Sequence, residues 1–230
     1  MSYFNITEKY ISSKIDIKGK SAVTESIKYP SFESTEEKFS SLCTKLSRFY
    51  SVIAAKYSSY ARHGLVKKIS RNPQLFSTPV NLSMNYTVTN ISEKVLSVVI
   101  DLCFSRDGKI RMRRFSQVWD TDTAKLLRAG SLFKLTMENK KTISDYIKKE
   151  AETYLEKHND CFDNALSKVQ KHFCFNNCFI TPNGISFYFD AGLLRAEKYG
   201  PVCFIVPFSG LSGILCPPLA SQITENTGDL

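Results

Sequence analysis

The sequence lacks the signatures of the common enzyme classes and of membrane insertion. It contains no GxSxG nucleophile motif, no P-loop and no GxGxxG dinucleotide fingerprint. No apolar run approaches the roughly 18 residues that a membrane span needs, and the first residues do not combine a basic segment with an apolar one, as a signal peptide would. The residues therefore favour a protein that is not an enzyme and uses no cofactor, with an unrecognised hydrolase as an alternative.

A disulfide framework is not indicated either. The seven cysteines are an odd number, which argues against complete pairing. Cys103 and Cys203 lie inside the apolar runs VIDLCF and PVCFIV, where a reduced cysteine serves as a small core residue. We expect a reduced, soluble protein in the cytoplasm.

What the sequence has in excess is positive charge. The net charge is +9, from 31 Lys and Arg against 22 Asp and Glu, and the basic excess lies in the first two thirds of the chain. A basic field attracts anionic partners such as nucleic acid, acidic glycans or acidic proteins. With 43% apolar residues among 230, the chain can bury a core, and a disordered or coiled-coil chain is excluded.

The first third of the chain passes from strand to helix patterns. Alternation with period two predicts one or two strands within residues 1–30. A capping-box pattern begins at Ser34, and apolar residues then recur every three or four positions. This spacing predicts a long helix that ends near Arg62, before Gly64. The following residues, 65–82, contain two prolines and are interpreted as an irregular connection.

The remaining chain contains strands on either side of a helical region. Residues 84–120 predict a three-stranded meander, with Asp107-Gly108 as a hairpin turn. Apolar positions within 143–173 predict two helices that break near Asn159-Asp160. Two further strands are predicted at 185–189 and 202–206, the second of them central because it is apolar throughout.

These elements predict an α+β fold. A long N-terminal helix and a second helical region are expected to pack against a mainly antiparallel sheet. The apolar stripe of residues 39–57 is expected to lie on a sheet made by 84–119 and 185–206, with Phe49 buried in the contact.

The chain shows no internal repeat and no low-complexity tract. Residues 1–230 are therefore predicted to form a single domain. Two intertwined halves, 1–80 and 81–216, are the alternative, and residues 217–230 are predicted to be a flexible tail.

The candidate binding residues lie in the central and C-terminal strands. Arg111 and Arg113 share one face of a predicted strand, where cations can bind phosphates, as in nucleic-acid recognition, or can simply be solvated. Trp119 and Tyr188 are aromatic residues that a protein or glycan partner could contact. We favour a protein or glycan partner over nucleic acid. The solvated face of an antiparallel sheet needs polar residues, and Lys and Arg supply them while discouraging edge pairing. We therefore expect the basic groups to be dispersed and not to form one continuous face for a phosphate backbone.

Metal binding is not predicted. The best candidate set is His158, Cys161, His172, Cys174 and Cys178, whose residue types suit zinc but whose spacings do not match paired CxxC elements. The pair Asp120 and Asp122 offers hard oxygen ligands, but Asp and Thr at the end of a strand are ordinary turn formers. We expect free thiols and no bound zinc.

The C-terminal third resembles a known family. The run FITPNGISFYF at 179–189 is followed by Gly200-Pro201-Val202, and then by IVPFS at 205–209. This pattern resembles the end of a bacterial domain family of unknown molecular function. That family includes the extracellular sensor domain of lysozyme-responsive anti-sigma factors and accessory domains of some peptidoglycan deacetylases. The YPSF sequence at 29–32, before the predicted helix, is compatible with the same architecture, so the resemblance spans roughly residues 25–215.

The resemblance implies a non-enzymatic sensor or binding domain that recognises a protein or a cell-envelope glycan. A nucleic-acid-binding protein that uses the basic central strands is the alternative. The family's matching motifs are structural, so the resemblance assigns a function to no residue of this chain.

Overall fold

The computed structural model describes residues 3–75 and 78–220, and within them the fold is α+β. The strands are β1 (Asn5–Ile17), β2 (Lys20–Glu33), β3 (Val80–Ile91), β4 (Val95–Arg106), β5 (Lys109–Asp120), β6 (Lys125–Leu127), β7 (Cys178–Thr181), β8 (Gly184–Phe189) and β9 (Val202–Pro207). The α-helices are α1 (Ser40–Ser59), α2 (Val66–Arg71), α3 (Ala129–Leu132), α4 (Met137–Lys157) and α5 (Ala165–His172). A π-helical turn, Tyr60–Leu65, joins α1 to α2, and short 3-10 turns cover Glu37–Phe39, Pro73–Leu75, Glu197–Tyr199 and Phe208–Leu211.

The strands form two sheets and not the single sheet that was predicted from 84–119 and 185–206. A six-stranded sheet has the order β1-β2-β3-β4-β5-β6, and a three-stranded antiparallel sheet has the order β7-β8-β9. In the larger sheet β1 and β2 are antiparallel, as are β5 and β6, whereas β2 and β3 are parallel. The prediction of a central strand at 202–206 is wrong, because β9 lies at an edge. Period-two patterns assign side chains to faces but do not specify which strands pair.

The chain divides into two compact units that alternate along the sequence. Unit 1 comprises Met1–Thr87 and Ile100–Arg114, and unit 2 comprises Val88–Val99 and Phe115–Leu230. Most of the predicted flexible tail, residues 221–230, lies outside the described residues. Leu219, near the start of that predicted tail, is fully buried in the core of unit 2.

Helix α1 packs against β2 within unit 1. Leu46, Tyr50 and Ala54 are fully buried, and the ring of Tyr50 lies 5.8 Å from that of Phe32 on β2. The apolar stripe thus predicted the helix correctly. The description of this helix as N-terminal is wrong, because the helical segment lies within residues 37–71, after β1 and β2. Strands before the helix were expected from the alternation within residues 1–30. The partner of the helix is β2 and not the predicted sheet.

The helical segment also differs from the prediction at both ends. It continues through the π turn and α2, so the predicted end near Arg62, before Gly64, is wrong. The capping box does not form, because Ser34 Oγ accepts a hydrogen bond from the Glu36 amide at 3.1 Å and no side chain caps the first turn. A π turn has a longer period than an α-helix, so the apolar spacing changes there and the sequence pattern does not reveal that the helical segment continues.

The core of unit 1 lies between this helical segment and strands β2 and β3. The contributing side chains are buried and apolar: Ala22, Val23, Ala61, Leu65, Ile69, Val80 and Leu82. Residues 65–71, interpreted as an irregular connection, are therefore helical and supply two core residues.

Unit 2 has its own core, built on the three-stranded sheet. Helix α4 packs against β9, and its apolar face, Ile143, Ile147 and Ala151, is buried as the spacing predicted. Aromatic rings fill the space beside the sheet, with Phe133 stacked 5.8 Å from Phe187. The prediction of a second helical region, broken before α5, is confirmed.

Candidate functional site

The four residues predicted to bind a ligand lie in different surroundings. Arg111 and Arg113 are exposed on β5 and, two positions apart, project from one face of the strand. Trp119 is 3% exposed and Tyr188 is 6% exposed, so a ligand bound to this conformation would contact little of either ring. Tyr188 packs beside Phe179 in unit 2, with ring centroids 6.4 Å apart.

Arg111 lines a hollow of about 490 Å³ in unit 1, which we call the basic aromatic pocket. A volume in this range suits a small molecule or one or two units of a polymer. The lining combines three rings, four cations and two leucines: Tyr57, Tyr60, Phe104, Lys68, Arg106, Lys109, Arg111, Leu65 and Leu82. The structure thus places Arg111 in the pocket and leaves Arg113 outside its lining.

The π turn positions the ring of Tyr60 at this pocket. Tyr60 is the first residue of the turn, and its ring lies against Gly64. A Cβ atom at position 64 would lie 2.6 Å from Tyr60 Cδ2, closer than carbon atoms approach without displacement. The Tyr60 ring therefore occupies the space that a side chain at residue 64 would need, and Gly64 does not end the helical segment. π-helical turns are rare and occur often at functional sites.

An ion pair between the half-exposed Arg62 side chain and the buried Glu25 carboxylate ties the π turn to β2. Glu25 is fully buried, and its Oε1 accepts hydrogen bonds from Arg62 Nε at 3.2 Å and Nη2 at 3.0 Å. Ser13 Oγ donates to the same oxygen at 2.5 Å. Among the described residues, Glu25 Oε2 is buried with no hydrogen-bond partner. Because a buried carboxylate is costly unless it is paired, Arg62 is held in place and the π turn with it.

The three rings of the pocket differ in exposure. Tyr57 and Phe104 are half-buried at the edge of the unit 1 core, whereas Tyr60 is 41% exposed. Burial raises the pKa of Tyr57, so its hydroxyl stays neutral and does not repel an anion. Lys68 Nζ donates to the Tyr60 hydroxyl at 3.3 Å and lies 5.6 Å from the centre of its ring.

The cations of the pocket are only partly neutralised. Arg106 forms an ion pair with Asp107, with 3.1 Å between Nε and Oδ2. Within residues 3–75 and 78–220, Lys109 and Arg111 form no ion pair, and no carboxylate is among the side chains lining the pocket. Four cations around one hollow create a positive potential that an anionic ligand would relieve.

Sequence reasoning identified Arg111 but missed the helical half of the pocket. Lys68 lies in the segment interpreted as an irregular connection, and Tyr57 was assigned only to the apolar stripe. A signal was present in the sequence, since residues 38–92 contain eight Lys and Arg and no Asp or Glu. A segment of that length with charge of one sign creates a positive field, which favours anionic partners.

The metal candidates are not brought together. Among the described residues, no three His, Cys, Asp or Glu side chains lie close enough to hold a metal ion. Asp120 Oδ1 accepts the Thr123 amide at 2.8 Å, and Asp122 forms an ion pair with Lys94 at 2.9 Å, as in an ordinary turn. Absence of bound zinc stays a prediction, to be checked by elemental analysis. Among the helices in the described part of the chain, none combines the length and the apolar composition of a membrane span.

Part of this chain is similar to a known protein family. The sequence profile of a family described as "Protein of unknown function (DUF3298)" matches residues 130–209. This segment runs from α3 to β9 in unit 2 and includes the C-terminal strands whose pattern carried the resemblance. The basic aromatic pocket lies outside it. No curated protein matches the chain.

Two solved structures share the fold over almost the whole chain. A member of the DUF3298 family from Bacteroides fragilis has a TM-score of 0.70 at 14% identity, covering 97% of this chain and 98% of that one. A DUF3298 family protein from Pseudomonas aeruginosa has a TM-score of 0.57 at 12% identity, covering 93% of this chain and 95% of that one. At these identities the similarity concerns the fold.

Proposed function

We propose that the protein is a non-enzymatic binding domain whose basic aromatic pocket takes an acidic glycan. The observation that carries the proposal is the convergence of three aromatic rings and four cations on one hollow of unit 1. An arginine fork pairs with a carboxylate through two hydrogen bonds. A tyrosine ring offers a flat face to the C–H side of a sugar, and Tyr60 is the ring exposed for that contact.

The composition of the pocket supports binding without catalysis. Hydrolysis of a glycoside by the usual routes needs two carboxyl groups across the scissile bond, and most general acid–base chemistry uses His or a carboxylate. Within the described part of the chain, Asp, Glu and His do not occur among the lining side chains. The pocket would therefore hold its ligand without providing these groups to cleave it.

The sequence resemblance supports a ligand from the cell envelope and a role in sensing. The resembling domains are the sensor of lysozyme-responsive anti-sigma factors and accessory domains of peptidoglycan deacetylases. A cytoplasmic location, which remains our prediction, would restrict the ligand to soluble fragments of such a glycan. Cell fractionation followed by immunoblotting tests the location.

Nucleic acid is the main competing ligand. Lys109, Arg111 and Arg113 alternate along β5 and would suit a phosphate backbone. Nonspecific single-strand binding, however, uses stacking rings spread along a groove, whereas here the three rings converge on one hollow. We therefore favour the glycan.

The test uses trigalacturonic acid as an acidic glycan and triacetylchitotriose as a neutral one, measured by isothermal titration calorimetry. We expect the acidic sugar to bind and the neutral one to bind more weakly. Arg111→Glu should weaken binding by roughly tenfold or more, since a charged hydrogen bond is lost and a repulsion introduced. Arg113→Glu is the matched control, because it makes the same charge change on the same strand face outside the pocket lining.

Several outcomes would contradict the proposal. If Arg113→Glu weakened binding as much as Arg111→Glu, the effect would come from general charge and not from the pocket. If the wild type bound a mixed-sequence oligonucleotide more tightly than the acidic sugar, the nucleic-acid reading would replace ours. Release of reducing sugar during incubation would make the protein a hydrolase.

A further inference from the structure

Helix α1 presents a second surface, on the side away from β2. Three apolar side chains, Phe49, Val52 and Ile53, line a shallow hollow of about 680 Å³ together with Lys45, Arg48 and Lys56. We call these six residues the α1 outer face. Val52 is 43% exposed, and Phe49 and Ile53 are partly exposed. Phe49, predicted to be buried against a sheet, instead belongs to this face.

The charge of this face has one sign. Its three cations are exposed, and α1 contains no Asp or Glu along its length. An apolar centre between cations is complementary to a partner with an apolar centre between carboxylates. Phe49, Val52, Ile53 and Lys56 recur every three or four residues on one face of α1, which is the spacing by which two helices pack side by side.

Two other occupants fit less well. A second copy of the chain, paired about a twofold axis, would place cations of one α1 outer face against those of the other, which is destabilising. A lipid surface is bound by apolar side chains that protrude into the bilayer interface. Here Phe49 and Ile53 are only partly exposed, and Val52, at 43%, is the most exposed of the three.

We propose that the α1 outer face is the docking surface for an acidic amphipathic helix of a partner protein. The apolar side of that helix would cover Phe49, Val52 and Ile53, and its Glu or Asp side chains would meet Lys45, Arg48 and Lys56. The proposal does not depend on the basic aromatic pocket, because no residue of the α1 outer face lines that pocket.

The probe is a fluorescein-labelled synthetic helix with Leu every three or four residues along one face and Glu on both sides of it. Fluorescence anisotropy measures its binding to the full chain at low and at physiological salt. We expect binding that weakens with salt, and much weaker binding of the same peptide with Lys in place of Glu. Arg48→Glu combined with Lys56→Glu should weaken binding roughly tenfold or more.

The matched control combines Lys140→Glu with Lys141→Glu on α4, which makes the same charge change at exposed positions of unit 2. This control should change the dissociation constant less than twofold. Val52→Ser should weaken binding without a change of net charge, which separates the apolar contact from the charge. Thermal melting of each variant confirms folding, and Arg111→Glu should leave peptide binding unchanged.

Four outcomes would overturn the proposal. The first is no binding of the Glu peptide, and the second is an equal loss in the α4 control. The third is binding of the chain to phosphatidylserine vesicles that the Arg48 and Lys56 reversals abolish while the peptide stays unbound. The fourth is a concentration-dependent dimer in sedimentation that Val52→Ser dissociates.

Discussion

The Tyr60 ring lies directly on Gly64, with 2.6 Å between Tyr60 Cδ2 and the position that a Cβ atom would take at residue 64. The two residues are one turn apart within the π segment, and the Tyr60 ring fits there because Gly64 has no side chain. The position of Tyr60 at the pocket therefore depends on a glycine that does not itself line the pocket.

Gly64→Ala should displace the Tyr60 ring and weaken binding of trigalacturonic acid roughly fivefold or more. Alanine favours a helix over glycine by about 1 kcal/mol, which opposes the cost of the clash, so the free energy of unfolding should change by less than about 1 kcal/mol. Gly130→Ala is the control, because a Cβ atom there meets nothing within 4 Å. Calorimetry and urea unfolding measure both quantities. If Gly64→Ala bound the sugar as tightly as the wild type, binding would not depend on the position of the Tyr60 ring.

Arg62→Met should lower the free energy of unfolding by about 2–4 kcal/mol, because it leaves the buried carboxylate of Glu25 without its charged partner. The double variant Glu25→Leu with Arg62→Met should be more stable than Arg62→Met alone, since it removes the buried charge as well. Lys67→Met, at an exposed position nearby, is the control and should be nearly neutral. Urea unfolding monitored by circular dichroism gives the values. A double variant less stable than the single one would contradict this account.

Phe49→Ala should lower the free energy of unfolding by only about 1 kcal/mol, because Phe49 is partly exposed on the α1 outer face. Leu46→Ala, one turn earlier on the buried face, should lower it by about 2–5 kcal/mol, since Leu46 is fully buried and leaves a cavity. Thermal and urea unfolding of the two variants give the comparison. Equal losses would place Phe49 in a packed contact and remove it from the outer face.

Cys178 should resist thiol reagents until the protein unfolds. Burial, with a smaller contribution from Cys174, raises the pKa of Cys178 from its ordinary value of 9.0 to about 12. At pH 8 its reactive thiolate is therefore scarce, whereas exposed Cys174 should react with Ellman's reagent at once. Cys174→Ser should remove one fast-reacting thiol, and Cys178→Ser none.

The raised pKa of Cys178 also makes the free energy of unfolding depend on pH. The folded-state pKa of Cys178 lies above the unfolded value, so its contribution is fully present below about pH 9 and is lost as the pH rises towards 12. Cys178→Ala should lose less stability than the wild type between these limits. Urea unfolding at pH 8 and pH 10.5 makes the comparison.

Local features of the fold could be predicted from the sequence, and the pairing of distant elements could not. The Asp107-Gly108 turn was recognisable because two residues with positive φ between strand patterns favour a tight hairpin, and both have positive φ here. The parallel pairing of Val23 with Val80 left no local pattern, because it depends on where the helical segment returns the chain. The division of the strands into two sheets was missed for the same reason.

The pocket was predictable only in part. Arg111 stood out because cations alternated with other residues on a recognisable strand. Tyr60 and Lys68 belong to a π turn and a short helix, where the apolar period changes and the pattern stops being informative. The complete set of lining residues appears only when the segment after α1 is placed over the strands.

The parallel pairing of β2 and β3 also has a consequence for the order in which contacts are expected to form during folding. The β1–β2 and β4–β5 hairpins close over short turns, which takes microseconds, whereas the parallel pair must wait for the whole helical segment to cross over. We therefore expect the rings on that segment and the cations of β5 to meet only after the crossover has docked, late in folding. A ligand held between them would therefore leave the folding rate almost unchanged and slow the unfolding rate. Its binding would lengthen the lifetime of the native state.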